Sequence, residues 1–162
     1  AEFVTYKNVF SNAITNINET ENVEIDEKQN RVQYGDVFFT TSSETPEEVG
    51  MSSVWLENKD NTYLNSFCFG FRPTDNVNYL YLAYLLRSSE VRKQFINLAQ
   101  GISRYNISKK KTMDIILMIP NLEEQEKIGT FFKQLDDKID NKQQHIENLK
   151  QTKKAFLQKM FV

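Results

Sequence analysis

One cysteine, one histidine, three prolines and five glycines are spread over 162 residues, and each shortage excludes something. Cys68 lies in the aromatic run Phe67-Cys-Phe-Gly-Phe; alone it cannot close a disulfide within the chain, and it reads as a core thiol. With His145 as its only companion, a zinc site built from cysteine and histidine is excluded. There is no Gly-x-Gly-x-x-Gly run, no Walker loop and no metal-spaced pair of carboxylates or histidines, so no catalytic set and no metal site is expected. No apolar run reaches bilayer length, and the N-terminus has no signal-peptide pattern. These absences read as a reducing, cytoplasmic protein. The opening Ala-Glu-Phe enters a strand-like run at once and reads as a partial chain.

No strong charge of one sign is present either: the net charge is −2. Its distribution is uneven. Residues 1–60 hold four basic and twelve acidic side chains, a balance of −8. Residues 87–111 hold seven basic side chains against Glu90 alone, a balance of +6. The basic charge is local, where a polyanion partner would find it.

After Pro120 there is no proline and one glycine, Gly129, which permits a continuous helix to about Met160. Asn121 can cap it, with Glu124 in the capping-box position. Glu123, Glu124 and Glu126 then lie at the positive end of the helix dipole, and Lys150, Lys153, Lys154 and Lys159 toward the negative end. Apolar residues recur every three and four positions. One row is Phe132, Ile139, Ile146 and Met160, with Lys153 in register. The other is Ile128, Leu135, Leu149 and Phe156, with Lys142 in register. Such a stripe is a coiled-coil seam, too narrow for a helix buried all round. The competing reading is a long helix lying on its own domain, but it would overhang a domain of about 120 residues.

Upstream, Phe3-Val-Thr-Tyr and Asn8-Val-Phe read as short β pieces, and residues 11–31 as loop or an exposed strand edge. Tyr34-Gly-Asp is a turn into a buried strand, Val37-Phe-Phe-Thr-Thr. A polar loop from Ser42 follows, then strands at Val54-Trp-Leu and Leu64 to Arg72. Asp75 or Asn76 can cap a helix carrying Tyr79, Leu82 and Leu86. Ser88-Ser89 starts a second, through Val91, Phe95 and Leu98. Ile102 to Lys111 reads as a basic loop, and Asp114-Ile-Ile-Leu-Met-Ile as a strand. The sum is an α+β fold: a small domain of mixed strands and short helices over residues 1–120, then one long C-terminal coiled-coil helix over 121–162.

Two stretches have the side chains of a nucleic-acid contact. Thr40-Thr-Ser-Ser-Glu-Thr follows a buried strand, and its short hydroxyls suit phosphates or base edges, with Glu44 able to accept from a cytosine amino group. It reads equally as an ordinary Ser/Thr turn. Gly101-Ile-Ser-Arg-Tyr-Asn-Ile-Ser-Lys-Lys-Lys offers Arg104 for guanine, Asn106 for adenine and three lysines for phosphates, though a basic stretch is often only a solvated loop. His145 reads as a solvated residue of the long helix.

The run Ile119-Pro-Asn-Leu-Glu-Glu-Gln-Glu-Lys-Ile-Gly, followed by Leu135-Asp-Asp-Lys-Ile and Lys154-Ala-Phe-Leu-Gln-Lys-Met-Phe, resembles the conserved-region helix of type I restriction–modification specificity subunits. Gly35-Asp-Val-Phe-Phe-Thr-Thr-Ser resembles a Gly-Asp-(Ile/Val)-Leu-Phe-x-x-Ser run in their target recognition domains. Gly101-Ile-Ser-Arg-Tyr-Asn-Ile-Ser resembles the Gly-(Thr/Ser)-x-x-x-x-Ile run before the final strand. The likeness covers nearly the whole chain, and the proline–Glu-Gln entry to the helix is its most specific part.

The resemblance implies a non-catalytic subunit with two recognition domains, each followed by a long helix, the two helices packing antiparallel as a spacer. Each domain reads half of a split DNA sequence. Methyltransferase subunits carrying S-adenosylmethionine methylate adenine, and endonuclease subunits join the complex. This chain matches half of such a subunit, the C-terminal half, with an N-terminally incomplete recognition domain; the resemblance implies no cofactor of its own.

The reading is therefore a double-stranded DNA recognition module that dimerises through its helix. Thr41, Ser42, Ser43, Arg104, Tyr105, Asn106, Lys109, Lys110 and Lys111 are the candidate DNA contacts. Ile128, Phe132, Leu135, Ile139, Ile146, Leu149, Phe156 and Met160 are the candidate helix-pairing residues. Two other classes stay open: a coiled-coil interaction adaptor that binds no DNA, and the recognition fragment of a fused restriction–methyltransferase enzyme.

Overall fold

A computed structural model of the chain describes residues 1–25, 28–74 and 76–161. In chain order the elements are β1 (Glu2–Val4), α1 (Tyr6–Ser11), β2 (Thr20–Asn22), β3 (Val37–Thr40), β4 (Ser42–Ser43), β5 (Ser52–Val54), β6 (Thr62–Leu64) and β7 (Cys68–Phe71). Then come α2 (Tyr79–Leu85), α3 (Ser89–Leu98), β8 (Tyr105–Asn106), α4 (Lys109–Met113) and α5 (Leu122–Met160). Short 3-10 turns lie at Ile17–Glu19 and Pro46–Glu48. The fold is α+β: three small sheets, short helices and one long C-terminal helix.

The central sheet has the order β5-β3-β7, antiparallel throughout. Its middle strand, β3, is buried at every position. Alternation along the strand divides two cores. Val37 and Phe39 face one cluster with Val54, Leu82, Val91 and Phe95. Phe38 faces the other, with Val4, Val9, Val32, Trp55 and Cys68. Phe39 stacks on Phe69 and Phe71, with ring centroids 5.4 and 6.1 Å away. Each such buried side chain stabilises by about 1.5–3 kcal/mol. A second sheet, β2-β1-β6, pairs β1 parallel to β6, and a third joins β4 to β8.

Five local expectations are corrected. Asn8-Val-Phe is helical, in α1: the Thr5 hydroxyl caps it by accepting from the Asn8 N–H, and the buried Asn8 amide donates to the carbonyls of Asn16 and Glu19. The strand read from Leu64 to Arg72 breaks into β6 and β7 at a turn where the Asn65 side chain accepts from the Phe67 N–H. The basic stretch is not all loop, since it contains β8 and α4. Asp114 to Ile119 forms no strand: Ile115 and Leu117 pack on the core while Ile116 and Met118 are exposed, so the alternation is there without a ladder partner. The cap of α2 is Asn78, whose side chain accepts from the Tyr81 N–H. Asn76 is not the cap, and Asp75 lies outside the described residues.

The long helix α5 runs 39 residues without a break. Asn121 accepts from the Glu124 N–H at 3.0 Å, which is the expected cap. Contact density divides the chain within this helix: Ala1–Gly129 forms one compact unit, and the helix from Thr130 on belongs to another. Inside the first unit, the opening turns of α5 are tied to α2. Gln125 is buried; its amide donates to the Pro120 carbonyl at 2.8 Å and accepts from the Asn78 N–H at 3.0 Å. Gly129 is buried one turn on, where an added Cβ would lie 2.6 Å from the Tyr81 backbone nitrogen and 2.9 Å from Leu80 Cβ. Within the second unit, Leu135, Ile139, Ile146, Leu149, Phe156 and Met160 are exposed, as is Phe132.

Replacing Gly129 by alanine would raise intrinsic helix propensity by about 1 kcal/mol. The clash with the α2 backbone outweighs that gain, because overpacking costs about 1–3 kcal/mol. Gly129→Ala is expected to lower the urea midpoint, while Thr130→Ala next to it, at an exposed position, is expected not to.

Candidate nucleic-acid interface

The two stretches singled out in the sequence, some sixty residues apart, meet in the third sheet. Strand β4 pairs antiparallel with β8, Ser42 opposite Asn106 and Ser43 opposite Tyr105. The chain reaches this edge directly from β3, since only Thr41 separates β3 from β4. Thr41 is fixed on two sides: its N–H and hydroxyl both donate to the Phe67 carbonyl, at 3.0 and 2.7 Å, and its carbonyl accepts from the Ile107 N–H at 3.0 Å.

The strand pair has an inner and an outer member. Ser42 and Ser43 are buried, at 6% and 4% exposure. The Ser43 hydroxyl donates to the Thr45 carbonyl, and the Ser42 carbonyl accepts from the Tyr6 hydroxyl at 2.6 Å. Burial pushes the Tyr6 phenol above its ordinary range, so it stays a neutral donor at physiological pH. On the outer side Arg104, Asn106, Lys109, Lys110 and Lys111 are exposed, and Tyr105 is half-buried. Glu44 is exposed beside them in sequence.

The loop carrying Arg104 is a closed hairpin. Gln100 and Asn106 exchange backbone hydrogen bonds of 3.0 and 2.8 Å across its neck. Ile102, at 96% exposure, and Arg104 lie between them. Gly101 makes the closure possible: its φ is +148°, and a Cβ there would fall 2.0 Å from the Arg104 carbonyl oxygen. Ser108 precedes α4, and the Thr112 hydroxyl donates back to the Ser108 carbonyl at 3.0 Å, so the three lysines are held in one short helical turn.

Two arginines that inflate the basic count of the sequence do not belong to this surface. Arg87 donates to the carbonyls of Val9, Phe10, Asn12 and Ser52, and burial lowers its pKa to about 10. Arg92 donates to the carbonyls of Glu47, Val49 and Gly50, and burial lowers its pKa as well. Lys93 pairs with Glu90. What remains for an outside anion is Arg104 and the lysines of α4. Sequence reasoning missed Tyr6 and Arg92, which brace the loop from Ser42 to Gly50. Neither residue lies in a motif that could have flagged it.

Among the described residues, no group of three or more His, Cys, Asp or Glu is placed to hold a metal, and no helix is long and apolar enough to cross a membrane.

Gly101→Ala is expected to force the hairpin open. Beyond a local cost of at least about 1 kcal/mol for an alanine at positive φ, the Gln100–Asn106 bonds cannot both survive. Amide hydrogen exchange at Asn106 is expected to accelerate, while exchange in β3 stays slow.

Comparison with known proteins bears on what this edge belongs to. A solved chain from a study of complex assembly and conformational transition of the type I R-M system superposes with a TM-score of 0.54 at 19% identity. The match covers 86% of this chain and 32% of that one, so this chain spans about a third of the solved chain's length. At that identity the likeness establishes the fold alone. No curated protein matches the sequence. A family model described as type I restriction modification DNA specificity domain matches residues 2–151, which takes in both strands of the candidate edge and most of α5. The chain belongs to the type I restriction–modification DNA specificity domain family.

Proposed function

We propose that this chain reads one half of a split double-stranded DNA sequence, as half of the specificity subunit of a type I restriction–modification complex. The observation that carries the reading is the β4–β8 pair. It joins the two stretches whose side chains suit base edges and phosphates, and it leaves Arg104, Asn106 and Lys109–Lys111 exposed on one short segment. Arg104 and Asn106 are the proposed base readers, since guanidinium suits guanine and carboxamide suits adenine. Lys109, Lys110 and Lys111 neutralise phosphates. Tyr105, the half-buried Thr41 and the buried Ser42 and Ser43 hold the reading segment in register.

In this reading the chain performs no chemistry. Adenine methylation belongs to methyltransferase subunits that bind S-adenosylmethionine, and cleavage to endonuclease subunits of the same cytoplasmic complex. The exposed rows on α5 give the chain its second task, pairing with another such helix. Ile128, half-buried, would begin the seam; Phe132, Leu135, Ile139, Ile146, Leu149, Phe156 and Met160 would continue it. A homodimer through this seam would supply two reading edges.

Binding to duplex DNA at graded salt tests the first task. The affinity is expected to fall with a log–log slope of about −0.9 per phosphate contacted. Lys110→Gln is expected to weaken all sequences alike and to remove about one such unit of slope. Arg104→Gln or Asn106→Ala is expected to cost about 1–3 kcal/mol on the cognate half-site and to blur its sequence. Methylome sequencing of a host carrying the whole operon would show the split site; unmethylated adenines throughout, with the methyltransferase active, would refute the reading.

The second task has its own readout. Ile146→Asp with Leu149→Asp puts two carboxylates in the seam and is expected to shift the chain from dimer to monomer in sedimentation. The thermal transition of residues 1–129 should not move.

A further inference from the structure

A cleft of about 580 Å³ opens over the face of β3 and β7 that carries Phe38, Cys68 and Gly70, and three cationic side chains line it: Arg31, Arg72 and Lys109. Its floor is apolar and uncharged. Gly70 has no side chain to fill it, and any Cβ there would lie 3.0 Å from Phe38 Cδ1. Burial pushes the Cys68 thiol up to about 12, so it stays protonated. The one carboxylate among the described residues of the lining, Asp36, is fully engaged. Its two oxygens accept from Arg72 Nε and Nη2 at 2.7 and 2.9 Å, and one of them also accepts from the Gln33 N–H at 2.8 Å. That fork fixes the Arg72 guanidinium and leaves Nη1 with no partner among the described residues. Arg31 and Lys109 likewise have no ion-pair partner among the described residues, and both are exposed.

The cleft is continuous with the proposed reading edge. Lys109 belongs to α4, three positions beyond β8. Strand β7 starts beside Thr41, which is bonded to the Phe67 carbonyl. A pinned arginine whose Nη1 has no partner among the described residues, flanked by two cations that have no ion-pair partner among them either, over a neutral floor, matches the chemistry of a phosphodiester. We infer that the cleft seats the backbone of the DNA strand flanking the half-site, with Arg31 and Arg72 as phosphate contacts beyond those of α4. This rests on the reading of the chain as a DNA-binding module. More than half of the hydrogen bonds in protein–DNA interfaces go to phosphate and sugar, which fix register. A cleft of this size beside base-reading side chains would do that fixing.

The test uses the full chain and a random-sequence duplex, with fluorescence anisotropy across a salt series and amide chemical shifts from NMR. Arg31→Gln leaves every described hydrogen bond intact and is expected to remove about 0.9 from the log–log salt slope. Arg72→Gln is expected to do the same, but it also breaks the Asp36 fork, so Arg31→Gln and the wild-type shifts decide. Duplex is expected to move the amides of Gln33, Gly70 and Arg72. Shifts confined to residues 101–111, with an unchanged slope in Arg31→Gln, would overturn the cleft and leave the reading edge standing. If inorganic phosphate or poly-glutamate moves the cleft amides and duplex does not, the site belongs to a free ion or an acidic peptide and the inference fails. If the wild-type chain binds no duplex at any salt, the DNA-binding reading itself falls, and this one with it.

Discussion

The two-sided burial of β3 is the constraint on which the remaining structure depends. Val37 and Phe39 are committed to one core, Phe38 to the other, and Thr40 is buried between Met51 and Cys68. A slip of one residue would send every one of these side chains to the wrong core, so the register is fixed from both faces. The strand then continues through Thr41 into β4 with no loop between them. A rigid, buried strand thus sets the position of β4, and through the β4–β8 pairing that of the exposed segment opposite, which on the proposed reading is what a recognition surface requires of its scaffold. The bonds from Thr41 to Phe67 and Ile107 spread that rigidity to β7 and to the strand opposite.

Charge is divided in the same spirit between inside and outside. Arg87 and Arg92 are bonded wholly to backbone carbonyls, with no carboxylate among their described partners. Each gathers several carbonyls that lie outside sheet ladders and would otherwise be poorly satisfied. Arg87 ties the end of α1 to β5; Arg92 holds the loop before β5 and lies 5.2 Å from the centroid of the Phe95 ring. The balance of +6 counted along residues 87–111 is therefore partly structural. The charge left for an outside partner is smaller and more localised than the sequence total implied. For a chain with net −2, that localisation decides where a polyanion would be attracted.

On the proposed reading, the seam of α5 combines strength with weakness. Its rows contain Ile, Leu and Phe, which pair well, but Lys142 and Lys153 occupy two core positions. A polar residue at such a position lowers stability and selects register and partner. The exposed ion pairs along the helix, Lys127 with Glu123 and Lys150 with Glu147, each contribute only about 0.3–0.5 kcal/mol and cannot replace a partner. On the proposed reading, the lysines would make alignment of two helices more exact at some cost in affinity. That trade suits a helix whose length sets a distance.

How much of this could be read from the residues follows the range of the interactions involved. The long helix was legible because its signals are local: no proline, a cap at Asn121 and a steady period. Strand β3 was legible because aromatic and β-branched residues are concentrated there. Helix α1 was not, since six residues give no period and its stability comes from the Thr5 cap and the buried Asn8 amide. The stretch Ile115 to Ile119 misled in the opposite way. Period two reports which side chains face the core, and it does so correctly from Ile115 to Met118, but a strand also needs a neighbour, and no residue type announces one. The same holds for the candidate site. Arg104 and Asn106 stood out by chemistry, and Ser42 and Ser43 by composition, yet their pairing lies in two short ladder rungs between distant segments. Nor could burial at the serines be inferred from composition, because it is set by Tyr6 and β8 packing over them. The Glu-Gln entry to α5 was conspicuous as a pattern, and the structure supplies its cause: Gln125 bridges Pro120 and Asn78, so the first helical turns are built into the domain and do not merely follow it.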